Sequence, residues 1–269
     1  MCALLDVSSA GYYAWIDRPP SERSRWREEM TDRIREAHEG SRSLYGSPRV
    51  HAELLEKKVS ISLNSVARLM KLEGIRSMIG GSFVPQTTDS RHDHPRAKNL
   101  LEQDFGATAP NRKWVSDITY IPTKEGWLYL SVVMDCYSRR IVGWSMSDGM
   151  ESRLCIDALE MALGRRSVEP ELLHHSDQGV QYASEDYQRK LLENQMIPSM
   201  SRRGNCYDNA AMESFFGTLK TELIYLNEYQ THEEARRSIF EYIEVYYNRQ
   251  RRHSAIGYQS PEQFEAGLN

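Results

Sequence analysis

The chain has 269 residues, of which 40% are hydrophobic and 27% are charged; this balance excludes a disordered protein and leaves room for one large domain and a smaller one. No apolar run approaches the roughly 20 residues that span a bilayer, and residues 1–9 lack the pattern of a secretion signal, so we expect a cytoplasmic protein with no membrane association. The net charge of −4 counts against a nucleic-acid partner, because DNA-binding proteins are usually basic overall.

The N-terminal part of the chain is predicted to be helical. Residues 1–38 form an N-terminal helical segment, since apolar residues recur at spacings of three and four within 21–40. Residues 39–78 are predicted to be a helix-turn-helix-like DNA-binding domain. Two short helices separated by a tight turn are typical of a protein that reads the major groove. Many small helical domains without that function have the same pattern, so the spacing alone leaves both interpretations open.

Two apolar faces and one turn carry this helix-turn-helix prediction. Val50, Leu54 and Leu55 mark the apolar face of the first helix. Residues 60–64 contain capping residues and are predicted to form the turn. Val66, Leu69 and Met70 then mark the face of the second helix, which is predicted to end at Gly74.

Residues 79–110 are predicted to be a linker. They contain a Gly-Gly pair and three prolines, with polar and basic residues between them. Such a composition favours turns and extended chain over helices or strands. We therefore place the boundary between the helical region and the rest of the chain here.

From residue 111 onward the apolar pattern changes to that of a sheet. Strands are predicted at residues 114–121, 127–134, 140–146, 171–175 and 196–200, and helices at residues 154–163, 185–194 and 208–224. This order is that of an α/β, ribonuclease H-like fold, with a five-stranded mixed sheet and flanking helices. We predict this catalytic core over 111–228 and a C-terminal helical extension over 229–269. Trp127 and Tyr129, in the second strand, are predicted to be core residues.

Three acidic residues are expected to meet at one edge of this sheet. Asp117 lies in the first strand, Asp177 follows the fourth, and Glu213 lies on the long helix. Carboxylates about 4 Å apart repel by about 4 kcal/mol at an effective dielectric of 20, so three in one pocket require protons or cations. Mg²⁺ and Mn²⁺ suit carboxylate oxygens, and two such ions can assist both the attacking and the leaving oxygen of a phosphodiester.

Several nearby residues have two possible roles. Lys220 lies two turns after Glu213 on the same helix face, where it could meet a phosphate; an ordinary exposed lysine is the alternative. Asn209 either supports the acids or caps the long helix. Arg202 and Arg203 lie in a polar loop, which either covers the substrate or is simply exposed.

Positive charge is concentrated in three short stretches despite the negative total. They lie within residues 18–27, 91–98 and 249–253, and the last contains Arg252. Phosphate binding and an ordinary solvated face explain any one such stretch about equally well. Two divalent cations would add four positive charges and bring the net charge of −4 to zero.

The run WVSDITY at residues 114–120 resembles the first catalytic strand of insertion-sequence transposases in the retroviral-integrase superfamily. The resemblance continues through HHSDQG at 174–179, SRRGNCYDNA at 201–210, ESFF at 213–216 and Lys220. It also includes YGSPR at 45–49 and the C-terminal YN at 247–248, RH at 252–253 and GYQSP at 257–261. Nearly the whole chain is covered, and the likeness is to the second-reading-frame type of these transposases.

This resemblance implies a DNA transposase with a three-acid, integrase-like (DDE) catalytic core. Asp117, Asp177 and Glu213 would hold Mg²⁺ or Mn²⁺, as two ions. The enzyme would hydrolyse a phosphodiester at the element end and then use the freed 3′-hydroxyl to attack another phosphodiester. The residues expected to contact DNA are Lys220, Arg202, Arg203, Asn209, Arg252 and Arg49.

The resemblance also implies particular partners. These are the terminal inverted repeats of the element, the target DNA, further copies of the chain assembled on paired ends, and an upstream-frame protein with a helix-turn-helix and a leucine zipper. Two alternatives from other classes stay open. One is a ribonuclease H-like nuclease without strand transfer, and the other is a catalytically silent DNA-binding regulator. The helical N-terminal domain argues against the first, and the intact acid set argues against the second.

Overall fold

The computed structural model of the protein describes residues 8–79, 97–202 and 206–267. The chain separates into two compact units, Met1–Met78 and Ile79–Asn269. The finer limits expected after residues 38, 110 and 228 stay predictions. Within the described ranges, every helix is either too short or too polar to cross a lipid bilayer.

The first unit is built from helices that begin at recognisable caps. Its described helices are α1 (Ser9–Ile16), α2 (Glu22–Gly40), α3 (Ser47–Glu56) and α4 (Leu63–Leu72). The hydroxyl groups of Ser8, Ser21 and Ser62 accept hydrogen bonds from main-chain N–H groups in the first turns of α1, α2 and α4, which satisfies donors that a helix start otherwise leaves unpaired. Helix α3 has Pro48 in its first turn instead.

The core of the first unit lies between α2, α3 and α4. Ile34, Val50 and Val66 are fully buried there, which agrees with the apolar faces predicted for α3 and α4. Leu55, assigned to the same face as Leu54, is exposed. Consecutive helix residues point roughly 100° apart, so Leu55 faces solvent while Leu54 faces the core.

The second unit contains one five-stranded sheet. Its strands are β1 (Lys113–Thr123), β2 (Gly126–Asp135), β3 (Ile141–Ser147), β4 (Leu173–Ser176) and β5 (Ile197–Met200). Their spatial order is β3-β2-β1-β4-β5. The β1–β2 and β2–β3 pairs are antiparallel, whereas β1–β4 and β4–β5 are parallel. The mixed ribonuclease H-like sheet expected from the sequence is therefore confirmed.

Helices pack around this sheet. They are α5 (Ser152–Arg165), α6 (Val180–Ala183), α7 (Glu185–Glu193), α8 (Ala210–Glu222), α9 (His232–Phe240) and α10 (Pro261–Ala266). A π-helical stretch, Glu241–Tyr247, continues α9. The long helix predicted to begin at residue 208 begins at Ala210, because Cys206–Asn209 form a 3-10 turn.

Trp127 corrects one prediction about the core. Its side chain is 51% exposed, while Leu128 and Leu130 in the same strand are fully buried. The first two residues of β2 lie at the hairpin end of the strand and are exposed, so an apolar run does not imply burial there. Tyr129 is partly buried.

Gly143 allows a close approach between β3 and α5. A Cβ at this position would collide with the carbonyl oxygen of Ala158 and lie 2.8 Å from the backbone nitrogen of Ala162. We expect Gly143→Ala to lower the free energy of unfolding by about 1–3 kcal/mol, measured by urea denaturation. Gly164→Ala in the same helix is the matched control, since a Cβ there meets nothing within 4 Å, and it should not destabilise. Equal stability of both variants would contradict the close contact.

Candidate active site

Asp117 and Asp177 lie at matching positions beyond two paired strands. Strands β1 and β4 are parallel neighbours, and their last pair is Val115 with His175. Each aspartate lies two residues past that pair. Asp117 is still within β1, while Asp177 is the first residue after β4. The two side chains therefore leave the sheet at the same edge.

Local hydrogen bonds orient both carboxylates. Oδ1 of Asp117 accepts the main-chain N–H of Ile118 at 2.8 Å. Oδ1 of Asp177 accepts the N–H of Gly179 at 2.8 Å, and a Cβ on Gly179 would lie only 2.9 Å from that oxygen. Gly179, two residues after Asp177, thus permits a tight turn that closes on the carboxylate.

Asn209 joins the start of α8 to β1 beside Asp117. Its buried side-chain amide donates to the carbonyl of Ser116 at 3.2 Å. It occupies the N-cap position of α8 without a side-chain capping bond, and its role beside the acids stays a prediction. Glu213 follows one turn later on α8 with an exposed side chain.

The charges of Asp177 and Glu213 both act on Asp117. Burial raises the pKa of Asp117 well above its usual value, and the charge of Asp177 raises this pKa further. The hydrogen bond from the Ile118 N–H lowers the pKa. The charge of Glu213 raises it by a smaller amount, and the charge of Lys220 lowers it. Burial also raises the pKa of Glu213. Asp117 therefore feels the charges of both other acids, which is the condition that a cation would relieve.

The three carboxylates suit a hard divalent cation by donor type. Among residues 8–79, 97–202 and 206–267, no three His, Cys, Asp or Glu side chains form a ready-made chelating group. The donor set fits the ion, although the side chains are not closed around one point.

Lys220 is not an ordinary exposed helix lysine. Its side chain is largely buried, and its Nζ lies 5.1 Å from the centre of the Tyr120 ring. Burial lowers the pKa of Lys220, and the charge of Asp117 opposes that decrease. The ammonium group therefore lies over an aromatic ring and interacts with the charge of Asp117.

Asp208 is a structural residue that the sequence reasoning missed. Its fully buried carboxylate accepts hydrogen bonds from the Nε and Nη2 atoms of Arg202 at 3.0 and 2.9 Å, and from the side-chain amides of Asn99 and Gln103 at 2.9 and 3.0 Å. The bonds from Arg202 hold the pKa of Asp208 well below its usual value. Its only sequence signal was its position at the start of a helix, which is typical of a cap.

The basic residues predicted to contact DNA lie in different environments. Arg202 pairs with Asp208, and Arg203 lies outside the described residues. The guanidinium carbon of Arg49, in the first unit, lies 5.6 Å from the centre of the Tyr45 ring. Arg252 is buried, and its Nη1 donates to the carbonyl of Tyr258 at 2.9 Å. Their contacts with DNA stay predictions.

Two kinds of family model match the chain. Models described as "Integrase core domain" match residues 107–206 and residues 194–261. A model described as "HTH-like domain" matches residues 25–81. The first kind covers the sheet and the acids, and the second covers α3 and α4.

Two proteins encoded by insertion sequences match this chain over almost its whole length. "Transposase InsF for insertion sequence IS3A" of Escherichia coli (strain K12) is 44% identical over 267 residues, which are 98% of this chain and 92% of that protein. A 31 kDa protein of insertion element IS600 from Shigella sonnei is 44% identical over 98% of this chain and 97% of its own. Among solved structures, a chain of the simian T-cell lymphotropic virus intasome in complex with PP2A regulatory subunit B56 gamma matches with a TM-score of 0.51 and 16% sequence identity. The match covers 85% of this chain and 73% of the other chain. That last likeness shows a shared fold.

Proposed function

Because this chain belongs to the family of insertion-sequence transposases with an integrase core domain, we propose that Asp117, Asp177 and Glu213 are its metal-binding catalytic residues. Family membership makes the chain a DNA-binding, integrase-type polynucleotidyl transferase that acts in DNA transposition. The single observation that carries the residue assignment is the placement of Asp117 and Asp177 two residues past the last pair of the parallel strands β1 and β4, with Asn209 tying the helix of Glu213 to the same strand.

The proposed ions are Mg²⁺ or Mn²⁺, two in number, held by the three carboxylates. When bound, such ions activate an attacking oxygen and stabilise the leaving oxygen of a phosphodiester. The protein residues provide the orientation. The Ile118 and Gly179 N–H groups hold one oxygen of each aspartate, and Asn209 ties the helix that carries Glu213 to β1.

Two reactions are proposed for this one site. The first is hydrolysis at the element end, which frees a 3′-hydroxyl, and the second is attack of that hydroxyl on another phosphodiester. Since water and then DNA supply the attacking oxygen, no protein side chain becomes linked to DNA. Strand transfer separates this function from that of a nuclease of the same fold, which would give cut products alone.

Metal binding provides the direct test of the three-acid assignment. We expect titration of the purified full chain with Mn²⁺ to raise its thermal midpoint, since a ligand at 100 times its Kd stabilises by about 2.7 kcal/mol. Asp177→Asn should remove most of this gain. Asp186→Asn, which changes an exposed aspartate on α7, is the matched control and should keep it. An unchanged Mn²⁺ response in Asp177→Asn would refute the assignment.

Lys220 is proposed to bind a phosphate of the DNA strand at this site. The contact of its Nζ with the Tyr120 ring and its charge interaction with Asp117 support that role. We expect Lys220→Gln to weaken binding of element-end DNA and to lower the slope of log affinity against log salt by about one, measured by fluorescence anisotropy. Lys190→Gln, which removes an α7 lysine paired with Glu160, should leave the slope unchanged. Equal slopes for the two variants would exclude the phosphate contact.

We also propose that the chain acts as a multimer on paired element ends, with the terminal inverted repeats and target DNA as ligands. An upstream-frame protein with a helix-turn-helix and leucine zipper is the further partner proposed. The family resemblance supports these assemblies. Light scattering of the chain with and without element-end duplex tests the multimer, which should contain more than one chain per complex.

A further inference from the structure

An aromatic pair lies on the β1–β2 hairpin, beyond the acidic site. In the antiparallel register Tyr120 is opposite Tyr129, and Pro122 is opposite Trp127. Opposed residues share one face of a sheet, so Tyr120 and Trp127 are diagonal neighbours on that face. Their ring centres are 4.6 Å apart with an interplanar angle of 74°. The edge contact holds the Trp127 ring while leaving 51% of the side chain exposed.

The aromatic pair is joined to the acidic site by Lys220. The lysine Nζ lies over the Tyr120 ring at 5.1 Å, and its charge acts on Asp117. Cation, tyrosine and exposed tryptophan thus follow one another along the hairpin, while Asp117, three residues before Tyr120 on β1, projects from the other face of the strand. A DNA strand whose phosphate contacts Lys220 would carry a neighbouring nucleotide towards Trp127.

The chemistry of this surface favours an unpaired nucleobase. Every base has a flat π-face, and stacking on an aromatic side chain tolerates any sequence. In a closed duplex that face is already covered by the adjacent base pairs. An exposed indole beside a cation therefore suits a base that has left the duplex, with the phosphate on the cation and the base on the ring.

We propose that Trp127, supported by Tyr120, is a stacking platform for an unpaired nucleobase next to the phosphate held at the acidic site. This inference rests on the proposed function, because it takes the strand at Asp117 to be DNA. It assigns Trp127 a positioning role, and the chemistry remains with the acids.

The test uses the full chain and two probes. One is a single-stranded oligodeoxynucleotide that contains 2-aminopurine, whose fluorescence falls when it stacks on an aromatic ring, and the other is the matching blunt duplex. We expect Trp127→Ala to weaken single-strand binding about tenfold and to reduce the quenching, with duplex binding within about twofold of the parent. Trp127→Phe should retain most of both signals, because a stacking ring remains.

Controls separate stacking from loss of structure. Phe240→Ala removes an aromatic side chain of matching exposure, 50%, on α9, and it should leave single-strand binding unchanged. Unchanged single-strand affinity in Trp127→Ala would overturn the proposal, as would an equal loss for both probes or an equal effect of Phe240→Ala. Asp117→Asn should keep the quenching. If Asp117→Asn keeps the quenching and Trp127→Ala leaves single-strand binding unchanged, the stacking proposal fails and the catalytic assignment stands. If Asp117→Asn still joins DNA, the catalytic assignment fails instead.

Discussion

Asp117→Asn and Glu213→Gln should each abolish DNA cleavage and strand transfer, with rate losses on the order of a thousandfold or more. Both substitutions keep the shape of the side chain and remove its negative charge. Each substitution replaces a proposed anionic oxygen ligand with a neutral amide, which weakens binding of a hard divalent cation. The measurement is single-turnover cleavage and joining of a labelled element-end duplex in Mn²⁺.

DNA binding provides the internal control for this experiment. The family model for DNA binding matches residues 25–81, which do not include the acids, so both variants should bind element-end duplex normally. Asp186→Asn should cleave and join at the parent rate, since that side chain is an exposed acid on α7. Normal joining by Asp117→Asn would disprove the assignment. Cleavage by the parent chain without any joining would favour a nuclease.

Arg251→Met should lower the free energy of unfolding by about 3–5 kcal/mol, the largest stability effect expected for this chain. Arg251 and Glu222 form a buried ion pair, with side chains 5% and 4% exposed and Nη2 2.7 Å from Oε1. Nε of Arg251 donates to Oε2 at 2.8 Å, and the hydroxyl of Tyr242 donates to the same oxygen at 2.9 Å. Removing the guanidinium takes the charge of Arg251 away from the buried carboxylate of Glu222.

A second variant separates the effect of the remaining Glu222 charge from the effect of the lost Arg251 packing. Arg251→Met combined with Glu222→Gln removes both charges and keeps an oxygen acceptor for Tyr242, so it should be more stable than Arg251→Met alone by at least about 1 kcal/mol. Arg249→Met is the matched control, because its pair with Glu262 is exposed and 3.7 Å long; it should cost no more than about 1 kcal/mol. The free energy of unfolding is measured by urea denaturation. An equal decrease for Arg249→Met and Arg251→Met would show that the buried pair stabilises the protein no more than the exposed one.

This ion pair also bears on function. Glu222 is the last residue of α8, the helix that carries Glu213, and Arg251 follows the π-helical stretch of the C-terminal extension. The extension thus holds the far end of α8, while Asn209 holds the near end against β1. We expect Arg251→Met to reduce activity through α8 as well as through stability.

The sequence predicted much of the secondary structure because apolar periodicity is a local property. The first strand, predicted at 114–121, is Lys113–Thr123, and the helix predicted at 185–194 is Glu185–Glu193. Errors arise where burial depends on distant elements. Trp127 continues an apolar run, yet its side chain is 51% exposed because it lies beside the hairpin turn, where the first residues of β2 face solvent.

What the sequence determined alone was the order of strands and helices, the family, and the identity of the three candidate acids, since periodicity and motif are written in neighbouring residues. Only the tertiary structure decided which side chains meet. It turned Arg252 inward, paired Arg202 with the buried Asp208, and placed Lys220 over the Tyr120 ring. These partners lie far apart in the chain or depend on the side that a helix presents, and their electrostatic energies depend on distance and burial, which no local pattern contains.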